Sequence, residues 1–121
     1  MAIFRREDIE KIRTGRKTMT RRIHKREWRV GRTYMVRDSP YSRSRLRIRI
    51  LRKFRQKLGE ISEKDIRKEG YSSLEEFKEV WTRIYGEWNP EQVVTAYEFE
   101  VVEGGGPSQK PADPQATKKR F

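Results

Sequence analysis

Between Thr14 and Arg22 the chain concentrates side-chain types that handle phosphates and bases: Gly15, Lys17, Thr18 and Thr20, with Arg16, Arg21 and Arg22 among them. A glycine just past a helix permits a sharp turn, and that turn would bring one ammonium and two hydroxyls onto a common ligand. The arginines would extend the positive lining. The plainer reading is that Gly15 only ends a helix and the threonines only fill a strand. Gly15-Arg16-Lys17-Thr18 also matches the end of a phosphate-binding P-loop. However, the upstream glycine of that motif is missing and a helical segment precedes it, which argues against a nucleoside triphosphatase. His24 is the only histidine and cysteine is absent, so no metal site, thiolate chemistry or disulfide framework is expected. A Ser-His-Asp triad has no support either, and His24 reads as a surface or strand residue.

The charge around this stretch is strongly one-sided. Residues 1–60 carry 21 Lys and Arg against 6 Asp and Glu, whereas residues 61–121 carry 9 against 12, so the net charge of +12 belongs to the N-terminal half. Such a field attracts polyanions, because each phosphate neutralised releases condensed counterions. Within residues 1–60 the cations are 16 Arg and 5 Lys, and a planar guanidinium fork suits phosphate and base edges better than an ammonium does. The competing reading is a heat-adapted surface, which 40% charged residues and no cysteine would also fit. Aromatic residues lie among the charges: Trp28, Tyr34, Tyr41 and Phe54, then Tyr71, Trp81, Tyr85 and Trp88. Exposed rings could stack on unpaired bases while arginines hold the backbone. Trp81 and Tyr85 have helical core spacing, whereas Trp28 and Tyr41 could serve either role.

The elements that must position these residues can be read from periodicity and caps. Arg6 to Arg13 predicts a short helix with Ile9 and Ile12 three apart, acidic residues at its start and Gly15 beyond its end. Strands are expected over Thr18 to His24 and Tyr34 to Arg37, on either side of a turn at Val30-Gly31-Arg32. After a polar loop, Asp38 to Ser44, the segment Arg45 to Phe54 alternates Leu46, Ile48 and Ile50 with Arg45, Arg47 and Arg49, a half-buried strand with one arginine-rich face. Ser62 and Asp65 predict a capped helix from Glu63 to Glu69, stopping at Gly70. Ser72 or Ser73 caps a second helix bearing Leu74, Phe77, Val80, Trp81, Ile84 and Tyr85, closed by Asn89-Pro90. Val93 to Val102 forms the last strand, with Val93, Thr95, Tyr97, Phe99 and Val101 on one face. The order helix, strands, two helices, strand implies an α+β domain over residues 1–102, with a small mixed sheet curled into a barrel and helices at its periphery; an open sheet is the alternative. Residues 103–121 hold Gly104-Gly105-Gly106, three of the five prolines and the basic cluster Lys118-Lys119-Arg120, and read as a flexible basic tail.

The run from Thr14 to Arg22 resembles the signature of the ASCH domain, in which a helix ends in Gly-x-Lys-Thr-x-Thr-x-Arg. The downstream segments are similar in order: Val30-Gly31 before a strand, the Arg45 to Phe54 strand, Glu69-Gly70-Tyr71 between helices, Leu74-Glu75-Glu76-Phe77, and a terminal strand with Tyr97-Glu98-Phe99. The similarity covers residues 3–102. It implies a PUA-like fold and RNA binding without a cofactor. Some ASCH proteins are amidohydrolases that remove the acetyl group of N4-acetylcytidine with a Lys, a Thr and a Glu. Carried over by motif, these roles fall on Thr20 as nucleophile, Lys17 as its activator and Glu69 as the group that orients or shuttles protons. The basic segment Lys25-Arg26-Glu27-Trp28-Arg29 departs from a pocket for a lone nucleoside and suggests a polymer.

Taken together, these features lead us to expect an RNA-binding protein of RNA-processing or translation-related assemblies. Arg16, Lys17, Thr18, Thr20, Arg21 and Arg22 would line a basic cleft that Arg45, Arg47 and Arg49 extend. Single-stranded or structured RNA is the expected partner. Amidohydrolysis, RNA cleavage and a protein-adaptor role are the alternatives. With no apolar run near the roughly 18 residues needed to cross a bilayer and no signal-peptide pattern, a cytoplasmic protein without membrane contact is expected.

Overall fold

Two long antiparallel strands, β4 (Arg47–Lys57) and β5 (Val93–Glu103), form the spine of the fold, paired from Arg47 opposite Glu103 to Lys57 opposite Val93. The computed structural model describes residues 2–24 and 26–105. Along β4 the alternation read from sequence holds: Ile48 and Ile50 are buried, as is Leu46 just before the strand, and Arg49 faces out. Burying an Ile or Phe side chain fully contributes about 1.5–3 kcal/mol, so Ile48, Ile50 and their neighbour Phe99 carry much of the folding drive here. Register shifts between Arg47 and Ile48, and again between Ile50 and Arg52, bend the pair.

On the outer edge of β5 runs β2 (Met19–Arg22), antiparallel, with Thr20 opposite Tyr97. β3 (Thr33–Arg37) pairs with β4, and β1 (Ala2–Ile3) lies parallel to β3. The sheet order is therefore β1-β3-β4-β5-β2, an α+β arrangement as expected. The expected barrel is realised as an open sheet. Its edge strands β1 and β2 share no backbone ladder, and with β1 only two residues long too few hydrogen bonds are on offer to close the seam. Side chains span it instead: the Arg22 guanidinium of β2 stacks 4.3 Å over the ring of Phe4, just beyond β1.

α1 (Arg6–Arg13) has Glu7 and Asp8 in its first turn and Lys11 and Arg13 in its last, matching the helix dipole. α2 (Glu63–Lys68) and α3 (Leu74–Tyr85) start at Ser62 and Ser73, whose hydroxyls accept the amides of Asp65 and Glu76. α3 ends at Gly86, in the left-handed region at φ +93, rather than at Asn89-Pro90. Two apolar clusters result. One unites Phe4, Ile12, Trp28, Ile48, Tyr97 and Phe99 between α1 and the sheet; the other unites Leu58, Ile66, Tyr71, Phe77, Trp81 and Val94 beneath α2 and α3. Trp28 thus belongs to the core, whereas Tyr41 is exposed. Ile84, Tyr85 and Val93, read on the apolar faces of their elements, are substantially exposed, Ile84 and Tyr85 because they face a cavity rather than packed side chains. β5 ends at Glu103, and residues 106–121 of the expected tail lie outside the described residues. No helix among the described residues is long and apolar enough to cross a membrane.

Candidate functional site

The turn after α1 is stitched to the end of α2. Lys17 donates its amide to the Lys11 carbonyl, and the Thr18 amide bonds the Lys68 carbonyl at 2.7 Å. These bonds set Lys17 beside Glu69. Gly70, at φ +95, then turns the chain so that both the carbonyl and the carboxylate of Glu69 face the lysine. The Lys17 Nζ donates to the Glu69 carbonyl at 2.8 Å and to its Oε1 at 3.2 Å. From β2, Arg21 donates Nη1 to Glu69 Oε2 at 2.9 Å and Nη2 to Asp65 Oδ2 at 2.8 Å, while Gln56 accepts from both Nε and Nη2. Lys17, Arg21 and Glu69 are all buried. Two cations and two carboxylates neutralise one another, which is the condition for keeping such charges away from water.

Over this network lies a cavity of about 260 Å³ between the two apolar clusters. Lys17, Thr20, Arg21, Arg22 and Glu69 are among its polar lining, and Phe4, Tyr71, Phe77, Trp81 and Tyr85 supply aromatic walls. Its size falls just below the roughly 300–1,000 Å³ of pockets for drug-sized ligands, so it suits one flat ring system rather than a larger molecule. Two donors remain for such a ligand. Lys17 uses two of its three N–H groups on Glu69, and among the described residues the Thr20 hydroxyl meets only the Arg22 Nε, at 3.5 Å. The Tyr71 ring sits under the Lys11 and Lys17 ammoniums, and its hydroxyl accepts from Arg5 at 3.4 Å. Burial, reinforced by the Asp8 charge, pushes the Tyr71 phenol well above its ordinary range, so it stays neutral.

Arg22 shares a face of β2 with Thr20 and stacks over both Phe4 and Trp28, at 4.3 and 4.9 Å. Among the described residues no carboxylate lies within 4.0 Å of its guanidinium, in contrast to Arg21. Desolvation by burial lowers its proton affinity, only partly offset by Tyr85 and more distant acids.

Lys17, Thr20, Arg21, Arg22 and Glu69 are therefore brought together. Thr18 lines a second, more open cleft of about 700 Å³ along β5, which Lys17 also reaches and where Glu100 and Glu103 offset the charge of Arg13. Arg16 lines a shallow site with Lys11 and Arg67. Arg45 lies with Arg37 and Arg43 at the far end of the sheet. Arg47 and Arg49 pair with Glu103 and Glu100 across the strand at 3.0 and 3.3 Å, which leaves the arginine face of β4 largely compensated. Phe4, Arg5, Gln56 and Asp65 complete the site without any signal in sequence beyond the capping role read for Asp65. No cluster of His, Cys, Asp or Glu suited to a metal ion occurs among the described residues.

This fold has counterparts of known structure. An ASCH domain from Lactobacillus crispatus JV V101 superposes with a TM-score of 0.70 at 17% identity, covering 80% of this chain and 71% of that one. A protein from Enterococcus faecalis V583, of the DUF984 family model, gives a TM-score of 0.60 at 24% identity, covering 77% and 68% respectively. The fold is that of an ASCH domain, as the run from Thr14 to Arg22 and the order of the segments after it led us to expect. No protein-family model matches the sequence, and no curated protein is similar to it.

Proposed function

We propose that this protein binds RNA by admitting one unpaired base to the pocket above Lys17 and Glu69. The observation that carries this reading is the pocket's composition: aromatic walls from Phe4, Tyr71, Trp81 and Tyr85 around free donors on Lys17 and Thr20, with the uncompensated Arg22 at its edge. Stacking a base on such rings contributes about 1–3 kcal/mol, and Watson–Crick edge acceptors would meet the Lys17 and Thr20 donors. The protein would act in the cytoplasm, in RNA-processing or translation-related assemblies. The test is binding of a short single-stranded RNA across salt. Affinity should fall steeply with ionic strength and drop on Lys17→Met; a flat salt response, or full affinity in that variant, refutes it.

One observation favours amidohydrolysis as a second reading: Lys17 and Glu69 are hydrogen-bonded at 3.2 Å and Thr20 lines the same cavity, the three types that cleave the amide of N4-acetylcytidine in the enzymes it resembles. Water would replace the exocyclic amine on the acetyl carbon, giving acetate and cytidine. Incubation with N4-acetylcytidine should then release cytidine and Thr20→Ala should abolish release; no conversion by the native protein ends this reading.

A further inference from the structure

Arg22 walls not one cavity but two. On its far side lies a cavity of about 760 Å³ that also presents His24, Arg26, Arg29 and Arg32, with Glu27 as its sole carboxylate among the described residues. That carboxylate is engaged elsewhere. Its Oε1 accepts from Lys53 at 3.2 Å, and its Oε2 from Arg55 and Thr95, each at 3.1 Å. By contrast, no carboxylate among the described residues lies within 4.0 Å of Arg22, Arg26, Arg29 or Arg32, whereas Arg47, Arg49, Arg52 and Arg55 of β4 each have one. The positive field is thus largely neutralised along β4 and left open here, as it is around Arg37, Arg43 and Arg45 at the far end of the sheet.

The segment bearing these arginines is held at several points. The Trp28 amide bonds the Tyr97 hydroxyl at 3.2 Å, the Arg29 amide the Tyr34 hydroxyl at 2.8 Å, and the Gly31 amide the Ile50 carbonyl at 2.7 Å. Lys53 caps the Trp28 carbonyl, and the Trp28 ring packs against Phe4, Tyr34 and Tyr97. The backbone beneath the Arg29 and Arg32 guanidiniums is therefore held before any ligand arrives, which lowers the entropic cost of binding.

Building on the base-pocket reading above, we infer that this second cavity takes the phosphodiesters flanking the inserted base, so that the ligand is a nucleotide within an RNA strand and not a free nucleoside. Arg22 joins the two subsites: it lines both cavities, and its guanidinium is held in place by stacking over Phe4 and Trp28. Planar forks suit phosphate oxygens bidentately, and three more around the same hollow suit a chain of charges rather than one.

The experiment measures a labelled single-stranded RNA pentamer, and cytidine by NMR titration, against the full chain and three variants: Arg26→Gln/Arg29→Gln/Arg32→Gln, Lys17→Met, and Arg83→Gln on α3 as control. The triple variant should bind the pentamer about tenfold more weakly or worse, with its log–log salt slope shallower by about 2, the loss of roughly three contacts at 0.7 each, while its response to cytidine is unchanged. Lys17→Met should lose both ligands, and Arg83→Gln neither. As an independent arm on native protein, a pentamer with neutral methylphosphonate linkages should lose affinity to the same degree. Native pentamer affinity and slope in the triple variant, with Lys17→Met impaired, overturns the phosphate subsite and leaves the base pocket standing. If Lys17→Met binds the pentamer normally, the base-pocket reading falls and this inference with it.

Discussion

Substituting Glu69 by Gln tests the buried network at its centre. The change preserves volume but makes one arm of the side chain an NH₂, which must then face either Lys17 Nζ, now 3.2 Å away, or Arg21 Nη1, now 2.9 Å away: a donor against a donor. Arg21 keeps Asp65 and Gln56, but Lys17, itself buried, loses its one carboxylate partner among the described residues whichever way the amide turns. Breaking a buried ion pair by removing one partner costs about 3–5 kcal/mol, against a total of about 5–15 kcal/mol for a typical domain. Removing the other partner, by Lys17→Met, leaves Glu69 still bound to Arg21 and should cost less, about 1–3 kcal/mol for the lost hydrogen bonds. Equilibrium urea unfolding followed by far-UV circular dichroism reads both. With a slope of about 1–3 kcal/mol per molar, the Glu69→Gln midpoint should fall by on the order of 2 M. A Glu69→Gln loss under about 1 kcal/mol, or a Lys17→Met loss as large as that of Glu69→Gln, would show that Glu69 does not hold two cations at once.

Three further outcomes are expected. Gly70→Ala forces an L residue to φ +95 and sets its Cβ 3.0 Å from Lys11 Cδ and 3.4 Å from Lys17 Cβ, whereas Gly31→Ala, at φ +87, meets nothing within 4 Å. Both should lose about 1–2 kcal/mol for the left-handed backbone, with Gly70→Ala losing more and also weakening RNA binding; equal losses in thermal melts would remove the steric argument. Burial and the Arg22 charge, with Lys53 adding to them and Glu27 opposing, hold His24 below its ordinary value of 6.5, and its Nε2 lies 2.6 Å from the Tyr97 hydroxyl. The unfolded chain therefore binds that proton more readily than the native one, so stability should be complete above about pH 6.5 and decline as pH falls below it. In urea titrations that decline should shrink in His24→Gln, and an unchanged pH profile would rule out His24 as its source. Ser62→Ala removes the acceptor for the Asp65 amide and should cost about 1 kcal/mol by the same unfolding measurement; no loss would mean that α2, which carries Asp65 and leads into Glu69, does not depend on its cap.

What the sequence determined by itself was local in origin. Ser62 and Ser73 as caps, Gly15 and Gly70 as helix exits, the alternation of Leu46, Ile48 and Ile50, and the grouping of Lys17, Thr20 and Glu69 all follow from short-range geometry or from the ASCH resemblance, and each is present in the fold. Tertiary structure decided which charges meet. The β4–β5 register sets Arg47 against Glu103 and Arg49 against Glu100, so an arginine stripe that reads as a ligand surface is largely neutralised by its own neighbouring strand. The same packing sets Thr18 and Thr20 on different cavities, buries Trp28, puts Ile84 and Tyr85 at a cavity wall instead of in the core, and leaves Arg22, Arg26, Arg29 and Arg32 without carboxylate partners among the described residues. Helical and strand periods repeat within a few residues and can be read along the chain. Charge pairing depends on strand register and on contacts between residues tens of positions apart, and only the folded sheet specifies those.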